Sequence, residues 1–486
     1  MSERDPLLKN DARAQAAVQQ GTIEDYDKSK SHARQVLTEF WIILKNALPV
    51  IGSYVLQNSI QTGSVFVVGR TSPLNLSVAA FSYMFAMATI WLLGLGGTTA
   101  IDTLASSLYS AARDKTRVGI VLQRAGIVLA LMYIPFAILW FFSAGFLRLL
   151  KQEEDLADLV QEFLRVLLPG AIGYVAFEAL KKYLQAQNIM QAGSYVLLIT
   201  SPLNIGLNYL MVYTFGMGLL GAPLATGITY WLSFGLLVLY TWKIDGHQCW
   251  GGFSRDALKE LWPMTKLASN GVLMIGTEWW SFEIITIVAG QLGGLDLPAQ
   301  SVVCTADQIL NTIPFGFGVA TTARIGNILG LQDAKLAKLS AQTASFASIA
   351  IGLTVGIILL ATRSVFAKAF TDEPKVIALV SHIMPYVAAF QIADGLVGSN
   401  GGSLRALGKQ HLGAVINGVS YYIIGLPLGI YLAYHGWRLT GLWLGSCLAL
   451  FCVGLSEWLL VSLANWEVET RKAIERCEEE EASHAT

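Results

Sequence analysis

Gly276-Thr277-Glu278-Trp279-Trp280-Ser281-Phe282-Glu283-Ile284 is the stretch that decides the fold class of this chain. It lies within an apolar run at residues 262–291, which is long enough to cross the roughly 30 Å hydrocarbon core as one helix. Ionisable residues at such a depth are costly, and by default they mark an ion or substrate pathway. Because two carboxylates stand beside indole and phenyl rings, the stretch favours a site for a proton or an organic cation. It therefore predicts a membrane transporter that exports cations, with this helix at its centre.

The composition supports a membrane protein and disfavours several other classes. Of 486 residues, 54% are hydrophobic and only 14% are charged, whereas a soluble domain carries roughly 25% charged residues. The net charge of −1 gives no basic surface for nucleic acid. The cysteines are scattered without a C-x-x-C pair and the histidines form no H-E-x-x-H motif, so we expect neither a disulfide framework nor a metal site. With no phosphate-binding loop and no catalytic cluster, we expect no cofactor and no enzyme activity.

Apolar runs long enough to span a membrane, each about 20 residues or more, occur twelve times. They lie at residues 40–62, 75–101, 118–142, 159–179, 194–214, 219–242, 262–291, 299–323, 341–361, 377–403, 412–434 and 439–462. The longest connection divides them into two sets of six. The predicted organisation is a cytoplasmic tail (1–36), an N-lobe (37–242), a cytoplasmic linker (243–261), a C-lobe (262–465) and an acidic cytoplasmic tail (466–486).

Lys and Arg are concentrated in both tails and in every second loop. The positive-inside rule then predicts that both termini lie in the cytoplasm. Near the N-terminus, Glu3-Arg4-Asp5-Pro6-Leu7-Leu8 resembles an acidic dileucine sorting signal, which is an address read by a receptor. It favours a vacuolar or lysosomal-type membrane, with the plasma membrane as the alternative.

The two halves repeat at a nearly constant offset. At an offset of 220 the residues Gly96, Ala100, Leu184, Ala186, Gly193, Gly216 and Gly221 fall on Gly316, Ala320, Leu404, Ala406, Gly413, Gly436 and Gly441. At 221, Glu39, Trp41, Lys45 and Ala47 fall on Glu260, Trp262, Lys266 and Ala268, and Gln57 falls on Glu278. Because each half has an even number of spans, both insert the same way up. The pattern predicts an all-α fold of two six-helix lobes related by a pseudo-two-fold axis along the membrane normal, with the site between them.

Four stretches carry a more specific signal. They are Ala100-Ile101-Asp102-Thr103-Leu104, Glu278-Trp279-Trp280, Arg324-Ile325-Gly326-Asn327 with Leu329-Gly330, and the run from Leu404 through Gly413 to Gly429. Together they resemble the multidrug and toxic compound extrusion (MATE) family, in its eukaryotic branch, over residues 37–465. The resemblance implies antiport of organic cations, drugs or metabolites against protons. The chain departs from the family pattern at Ser107-Leu108-Tyr109-Ser110, where a Gln-Ala-(aromatic)-Gly sequence is usual.

The resemblance also implies that Glu278, Glu283 and Asp394 couple transport to protons. Glu283 lies about 140° round an ideal helix from Glu278, so the two share a face only where the helix is locally widened or broken. Asp394 follows Pro385, which we take as the start of the straight part of its helix and which places the carboxylate near the membrane midplane. For each of the three, a structural carboxylate satisfied by hydrogen bonds is the alternative.

Other polar and aromatic residues are candidates for the walls of the cavity. They are Tyr54, Gln57 and Asn58 in the first span, Asp102 in the second, and Trp279 and Trp280 in the seventh. Packing is the alternative for each indole, and a gate or structural role is the alternative for Asp102. Asp307 stays open between a structural and a cavity-lining role. Glu178 has Lys181 and Lys182 at i+3 and i+4, which predicts an ion pair.

Competing functions come from the same superfamily and from other classes. A flippase for amphipathic or lipid-linked anions would need deep cationic residues, whereas carboxylates prevail here. A sodium-coupled antiporter is a further alternative. Twelve spans in two repeats disfavour a seven-helix receptor. The expected partners are a drug-like organic cation, protons and the lipid bilayer, and we expect a monomer.

Overall fold

A computed structural model of the chain describes residues 32–149, 154–369 and 371–482, and all regular structure within these residues is helical. The first six long helices are α1 (His32–Gly69), α2 (Pro73–Ala111), α3 (Arg117–Phe141), α4 (Glu154–Ala186), α5 (Ala192–Thr214) and α6 (Gly218–Lys243). The second six are α7 (Leu261–Leu292), α8 in two pieces (Asp296–Leu310 and Thr312–Gly330), α9 (Ala334–Phe366), α10 (Pro374–Ala406), α11, which runs from Gln410 to Trp437, and α12 (Arg438–Leu463). Helix α13 (Trp466–Ala482) follows, and shorter helices lie at Ser143–Leu149, His247–Cys249, Arg255–Leu258 and Ala367–Ala369.

Every predicted span coincides with one of these helices, so the all-α, multi-pass membrane class is confirmed. In the part of the chain that the structure describes, ten helical segments are long and apolar enough to cross a membrane. The number falls below twelve because α11 and α12 join into one segment, Gln410–Leu463, and because α8 is interrupted at Asn311. Pro314 explains the interruption, since it has no N–H to donate to the carbonyl of Leu310.

Two helix starts differ from expectation, and part of the expected organisation lies outside the described residues. Helix α10 begins at Pro374 and continues through Pro385, and the start of its straight part at Pro385 stays a prediction. Helix α1 begins at His32. The first 31 residues of the predicted tail, with the Glu3–Leu8 signal, and residues 483–486 lie outside the described residues.

The described chain forms two compact units. The C-unit holds residues up to Ile51 together with Leu273–Glu479, and the N-unit holds Gly52–Val272 together with residues from Glu480 onward. The borders between the units therefore fall inside α1 and α7, not in the loops. The lobes expected at 37–242 and 262–465, and the rotation that relates them, stay predictions.

The internal repeat is visible in the backbone of the two units. Helices α4 and α10 are each 33 residues long, and their bounds differ by the offset of 220. The turns after them reverse at Asn188 (φ 63°) and Gly408 (φ 73°), again 220 residues apart. Gly216 (φ 66°) and Gly436 (φ 99°) repeat the pattern after α5 and within α11. These left-handed turns favour glycine or asparagine, which explains why such residues recur at matched positions.

Each unit has a core built around a cluster of aromatic rings. In the N-unit, Trp91 stacks on Tyr174 with ring centroids 4.6 Å apart, and Tyr230 meets both rings edge-on. In the C-unit, Phe390 contacts the rings of Phe282 and Trp443, each at 5.7 Å. Aromatic pairs at these distances stabilise beyond their buried area, so the clusters fix how the surrounding helices pack.

Helices α4 and α6 of the N-unit approach closely at two glycines. A methyl group at Gly170 would lie 2.2 Å from the Cα of Gly227, and one at Gly227 would lie 3.1 Å from the Cα of Gly170. Small residues allow this backbone contact, which is a common way for helices to associate in membranes. The pair therefore sets the distance between α4 and α6.

We expect Gly170→Ala to destabilise the protein, because the new methyl group overlaps backbone that cannot rotate away. Overpacking of this kind costs about 1–3 kcal/mol. The matched control is Gly235→Ala, since a methyl group there meets nothing within 4 Å. Thermal unfolding of the two purified variants in detergent measures the difference. Equal unfolding midpoints for both variants would contradict the packing described here.

Candidate functional site

A pocket within the C-unit brings two of the predicted carboxylates together. Helices α7, α8, α10 and α11 build it. Its lining residues are Met274, Ile275, Glu278, Trp279, Asn311, Phe315, Asp394, Val397, Gly398, Gly401, Arg405 and Asn417. Glu278, Trp279 and Asp394 were expected in the site from the sequence, and they lie in this one pocket.

Helical spacing explains why these residues share a pocket. Met274 and Glu278 are four residues apart on α7, so they lie on one face. On α10 the spacing from Asp394 through Val397, Gly398 and Gly401 also keeps to one face. The absence of a side chain at Gly398 lets the backbone of Pro314 on α8 approach α10 closely, and at Gly401 it leaves room for the side chain of Met274.

Asp394 is held by the break in α8. The side chain is buried, and the Asn311 amide Nδ2 donates to its Oδ1 at 3.3 Å and to its Oδ2 at 3.1 Å. Asn311 lies between the two pieces of α8 and keeps right-handed helical backbone angles, φ −60° and ψ −21°. A neutral donor supports the carboxylate without cancelling its charge, so the charge remains available to a proton or a cation.

A third carboxylate, Asp307, belongs to the same cluster. The Gln391 amide Nε2 donates to its Oδ1 at 2.9 Å. Asp394 interacts electrostatically with both Glu278 and Asp307. Three carboxylates in one region of the membrane interior repel one another when ionised. The cluster is therefore suited to holding a proton or a bound cation.

Glu283 lies apart from this pair. Helix α7 is a continuous α-helix from Leu261 to Leu292, so the two glutamates keep their separation of about 140°. Glu283 is half-buried and interacts electrostatically with Cys304 on α8. It is not among the described residues that line the pocket, and its part in proton coupling stays a prediction.

The two indoles predicted for the cavity also differ in whether they line the pocket. Trp279 lines the pocket, whereas Trp280, next to it on α7, does not. Another aromatic residue near the carboxylates is Tyr421 on α11, which is not among the described residues that line the pocket. It lies in a π-helical segment, Val419–Gly425. Its hydroxyl is buried, has no hydrogen-bond partner among the described residues, and interacts electrostatically with Glu278 and Asp394. π-Helical segments are frequent at functional sites.

The first-span candidates lie in a buried polar network of the N-unit. The Gln57 amide Nε2 donates to Glu178 Oε1 at 2.7 Å, and Lys181 Nζ donates to Gln57 Oε1 at 3.0 Å. Lys181 also pairs with Glu178 at 2.6 Å, and its Nζ lies 4.1 Å from the centroid of the Tyr54 ring. Asn58, next to Gln57, is half-buried. A cavity role for these residues stays a prediction.

Asp102 is the partner of the second lysine. Lys182 Nζ lies 2.8 Å from Asp102 Oδ2, and both side chains are buried. The ion pair predicted for Glu178 therefore forms with Lys181, while Lys182 reaches across to α2. The geometry favours the structural alternative for Asp102 because its charge is neutralised inside the unit.

The N-unit counterparts of the pocket show why it occurs in one half. At the offset of 220, Trp91 and Tyr174 correspond to Asn311 and Asp394. Stacked rings thus stand where the C-unit has a hydrogen-bonded amide and carboxylate. Glu178 and Lys181 correspond to Gly398 and Gly401. The N-unit thus has an ion pair at the positions where the C-unit has two glycines in close contact with Pro314 and Met274.

Sequence reasoning missed several residues of the site. Asn311, Asn417 and Arg405 line the pocket, and Glu457 is buried on α12. The rule that ionisable residues within spans are functional candidates would have found Glu457, whereas Arg405 lies two residues beyond the predicted span at 377–403. Pro314 could have pointed to Asn311, because proline disturbs the preceding turn of a helix. Asn417, whose amide donates to the carbonyl of Met274 at 2.6 Å, gave no comparable signal.

The chain matches the MatE family model over residues 49–210 and 272–431. An uncharacterized transporter of Schizosaccharomyces pombe is 36% identical, over 88% of this chain and 80% of its own. Protein DETOXIFICATION 16 of Arabidopsis thaliana is 32% identical over 93% of each chain, and multidrug and toxin extrusion protein 2 of Mus musculus is 32% identical over 86% of this chain and 73% of its own.

The fold gives the same result. The crystal structure of the eukaryotic MATE transporter AtDTX14 aligns with a TM-score of 0.86 and 28% identity, over 91% of this chain and all of that one. A MATE structure in the bent conformation, at 17% identity and a TM-score of 0.77, supports the fold alone. The resemblance seen in the sequence is thereby confirmed, and the chain is a multi-pass membrane transporter of the MATE family.

Proposed function

We propose that this transporter exports organic cations or drug-like cationic metabolites in exchange for protons. The single observation that carries the proposal is that Glu278 and Asp394 line one pocket together with Trp279. Carboxylates attract a cation or bind a proton, and an aromatic face adds cation–π attraction to an organic cation. The same side chains therefore serve both ligands.

Competition at these carboxylates supplies the coupling. When Glu278 and Asp394 are ionised, their charge holds the cation in the pocket. Protonation removes that charge, so the cation dissociates. A state that opens to an acidic lumen or exterior releases the cation there, and the return step delivers the proton to the cytoplasm. Cation and proton are thus never bound together at full affinity.

The driving force follows from this exchange. One proton exchanged for one monovalent cation moves no net charge, so only the pH gradient drives it. Each pH unit supplies about 1.4 kcal/mol. One proton per cation therefore sustains roughly a tenfold cation gradient for each pH unit.

Orientation and location belong to the same proposal. The concentration of Lys and Arg in the tails and alternate loops supports cytoplasmic termini. A proton gradient directed into the cytoplasm suits an acidic vacuolar or lysosomal-type compartment, or the plasma membrane. The transporter acts as a monomer embedded in lipid, because the proposed cycle uses one pocket in one chain.

Two alternatives can be weighed against the described side chains. A flippase for lipid-linked anions would use unpaired deep cations. Instead Lys181, Lys182 and Arg324 each lie within 2.8 Å of a carboxylate oxygen, and Arg124 is paired with Glu480 at 2.7 Å. For sodium coupling, no group of three or more His, Cys, Asp or Glu in the described residues is arranged to hold a metal ion. Replacing the pH gradient by a sodium gradient tests that alternative directly.

We expect Glu278→Gln to abolish cation efflux driven by a pH gradient, because the amide neither ionises nor accepts the proton. The assay is efflux of tetraethylammonium from proteoliposomes; this cation has no titratable group, so its own charge is constant. Thermal unfolding checks that the variant stays folded. Glu283→Gln is the comparison, with a milder expected effect because Glu283 does not line the pocket. A purified Glu278→Gln protein that builds the gradient at the wild-type rate would refute the mechanism.

Asp394→Asn should likewise abolish this efflux or move its pH optimum. The amide is nearly isosteric and can still contact Asn311, so the fold is retained while the titratable proton is lost. Efflux measured across a series of external pH values gives the profile. An unchanged rate together with an unchanged profile would exclude Asp394 from the proton step, and would leave Glu278 to be judged by its own variant.

A further inference from the structure

Glu457 is a buried carboxylate without a role in the exchange described above. It lies on α12 and is fully buried. Neither of its carboxylate oxygens has a hydrogen-bond partner among the described residues. Buried polar groups are normally satisfied, and an unsatisfied carboxylate inside a membrane span is a functional candidate by default.

Its position links it to the pocket. A methyl group at Gly401 would lie 3.5 Å from Glu457 Oε2 and 4.0 Å from Arg405 Nη1. Gly401 and Arg405 both line the pocket that holds Glu278 and Asp394. Glu457 therefore lies directly behind the pocket wall, at the place where that wall has no side chain.

Distances along α10 and α12 show how far Asp394, Arg405 and Glu457 lie from the ends of these helices. At 1.5 Å per residue, Asp394 is roughly 18 Å of helix from the end of α10, and Glu457 is roughly 9 Å from the end of α12. Arg405 is in the last turn of α10. In the proposed orientation both ends face the cytoplasm. Glu457 and Arg405 then lie between the Glu278–Asp394 pair and the cytoplasmic surface.

The charged and titratable groups that face Glu457 come from three other helices. Arg405 on α10 attracts it, and Glu278 on α7 repels it. The Tyr421 hydroxyl on α11 also interacts with it. The guanidinium compensates the ionised form of Glu457, whereas a charge on Glu278 opposes it. Glu457 therefore lies between an opposite charge at Arg405 and a like charge at Glu278.

The repeat supplies an independent argument. At the offset of 220, Glu457 and Arg405 correspond to Leu237 and Gln185. Leu237 is fully buried in the N-unit, so the fold at this position is compatible with an apolar side chain. The acid and the arginine therefore occur together in the unit that holds the pocket, where a packing role alone does not require them.

We propose that Glu457 is a proton relay between the Glu278–Asp394 pair and the cytoplasmic side. The protonated acid in the pocket gives its proton to the Glu457 carboxylate through water in the pocket, and Glu457 then gives it to water at the cytoplasmic end. Arg405 balances the carboxylate before the proton arrives and after it leaves. Each transfer moves one proton from an acid to a base.

This inference rests on proton coupling at Glu278 and Asp394, so the experiment separates the two. Full-length protein in proteoliposomes is assayed for tetraethylammonium efflux driven by a pH gradient, and for tetraethylammonium exchange without one. We expect Glu457→Gln to slow efflux by about tenfold or more, at the lower end of what a positioned proton-transfer group contributes. Exchange should be retained, since the loaded site can return without releasing a proton. The control is Glu467→Gln, an exposed carboxylate on α13.

Every outcome decides one of the two claims. Wild-type efflux by Glu457→Gln, with Glu278→Gln inactive, overturns the relay alone. Wild-type efflux by Glu278→Gln overturns proton coupling itself. Loss of both efflux and exchange in a folded Glu457→Gln protein also overturns the relay, because Glu457 would then belong to the cation site.

The wild-type protein provides a reading if Glu457→Gln fails to fold. A hydrophobic carbodiimide reacts with protonated carboxyl groups in apolar surroundings, and mass spectrometry locates the adduct. We expect labelling of Glu457 to fall as the pH rises through the range in which wild-type efflux depends on pH. Absence of labelling throughout that range, or labelling that does not change across it, overturns the relay.

Discussion

The cost of placing a charge in the membrane interior governs this structure. A buried ion is tolerated when a counter-ion or hydrogen bonds compensate it. The N-unit meets this requirement with ion pairs, Glu178 with Lys181 and Asp102 with Lys182. The C-unit also has the buried pair Glu39–Arg324, but around its pocket two acids lie beside neutral amides, Asp394 beside Asn311 and Asp307 beside Gln391. A lysine neutralises the carboxylate in the first arrangement, whereas an amide in the second leaves a charge that the proposed mechanism uses for exchange.

One repeated backbone carries both arrangements. Helices α4 and α10 have equal lengths and matched turns, yet their facing side chains differ at nearly every polar position. Tyr174 packs on Trp91 where Asp394 accepts from Asn311. The scaffold therefore does not dictate the chemistry. The same backbone holds a ring and an ion pair in the N-unit, and an acid and two glycines in the C-unit.

The sequence predicts the helices well and the site only in part. Length and hydropathy place every span, because about 20 apolar residues have few alternatives to a membrane helix. The positions of Glu278 and Asp394 deep within predicted spans mark them as functional candidates, because ionisable residues at that depth are costly. Hydropathy does not predict which side chains form hydrogen bonds with each other. Gln57 has the features of a cavity residue in its span, whereas in the structure it forms hydrogen bonds with Glu178 and Lys181 of α4. Asn311 enters the site through a break that depends on Pro314, which hydropathy does not detect.

The cost of breaking a buried ion pair, compared with the free energy of a pH gradient, favours placing the proposed proton exchange in the C-unit. Removing either charge of the Glu178–Lys181 pair would leave the other buried without its counter-ion, and breaking a buried pair in this way costs about 3–5 kcal/mol. One pH unit supplies only about 1.4 kcal/mol, so a gradient of two or more pH units would be needed for that step alone. Asp394 has no such penalty, because its partner is an uncharged amide. The proposed proton exchange at Asp394 therefore breaks no ion pair, and the N-unit pairs can stay intact during it.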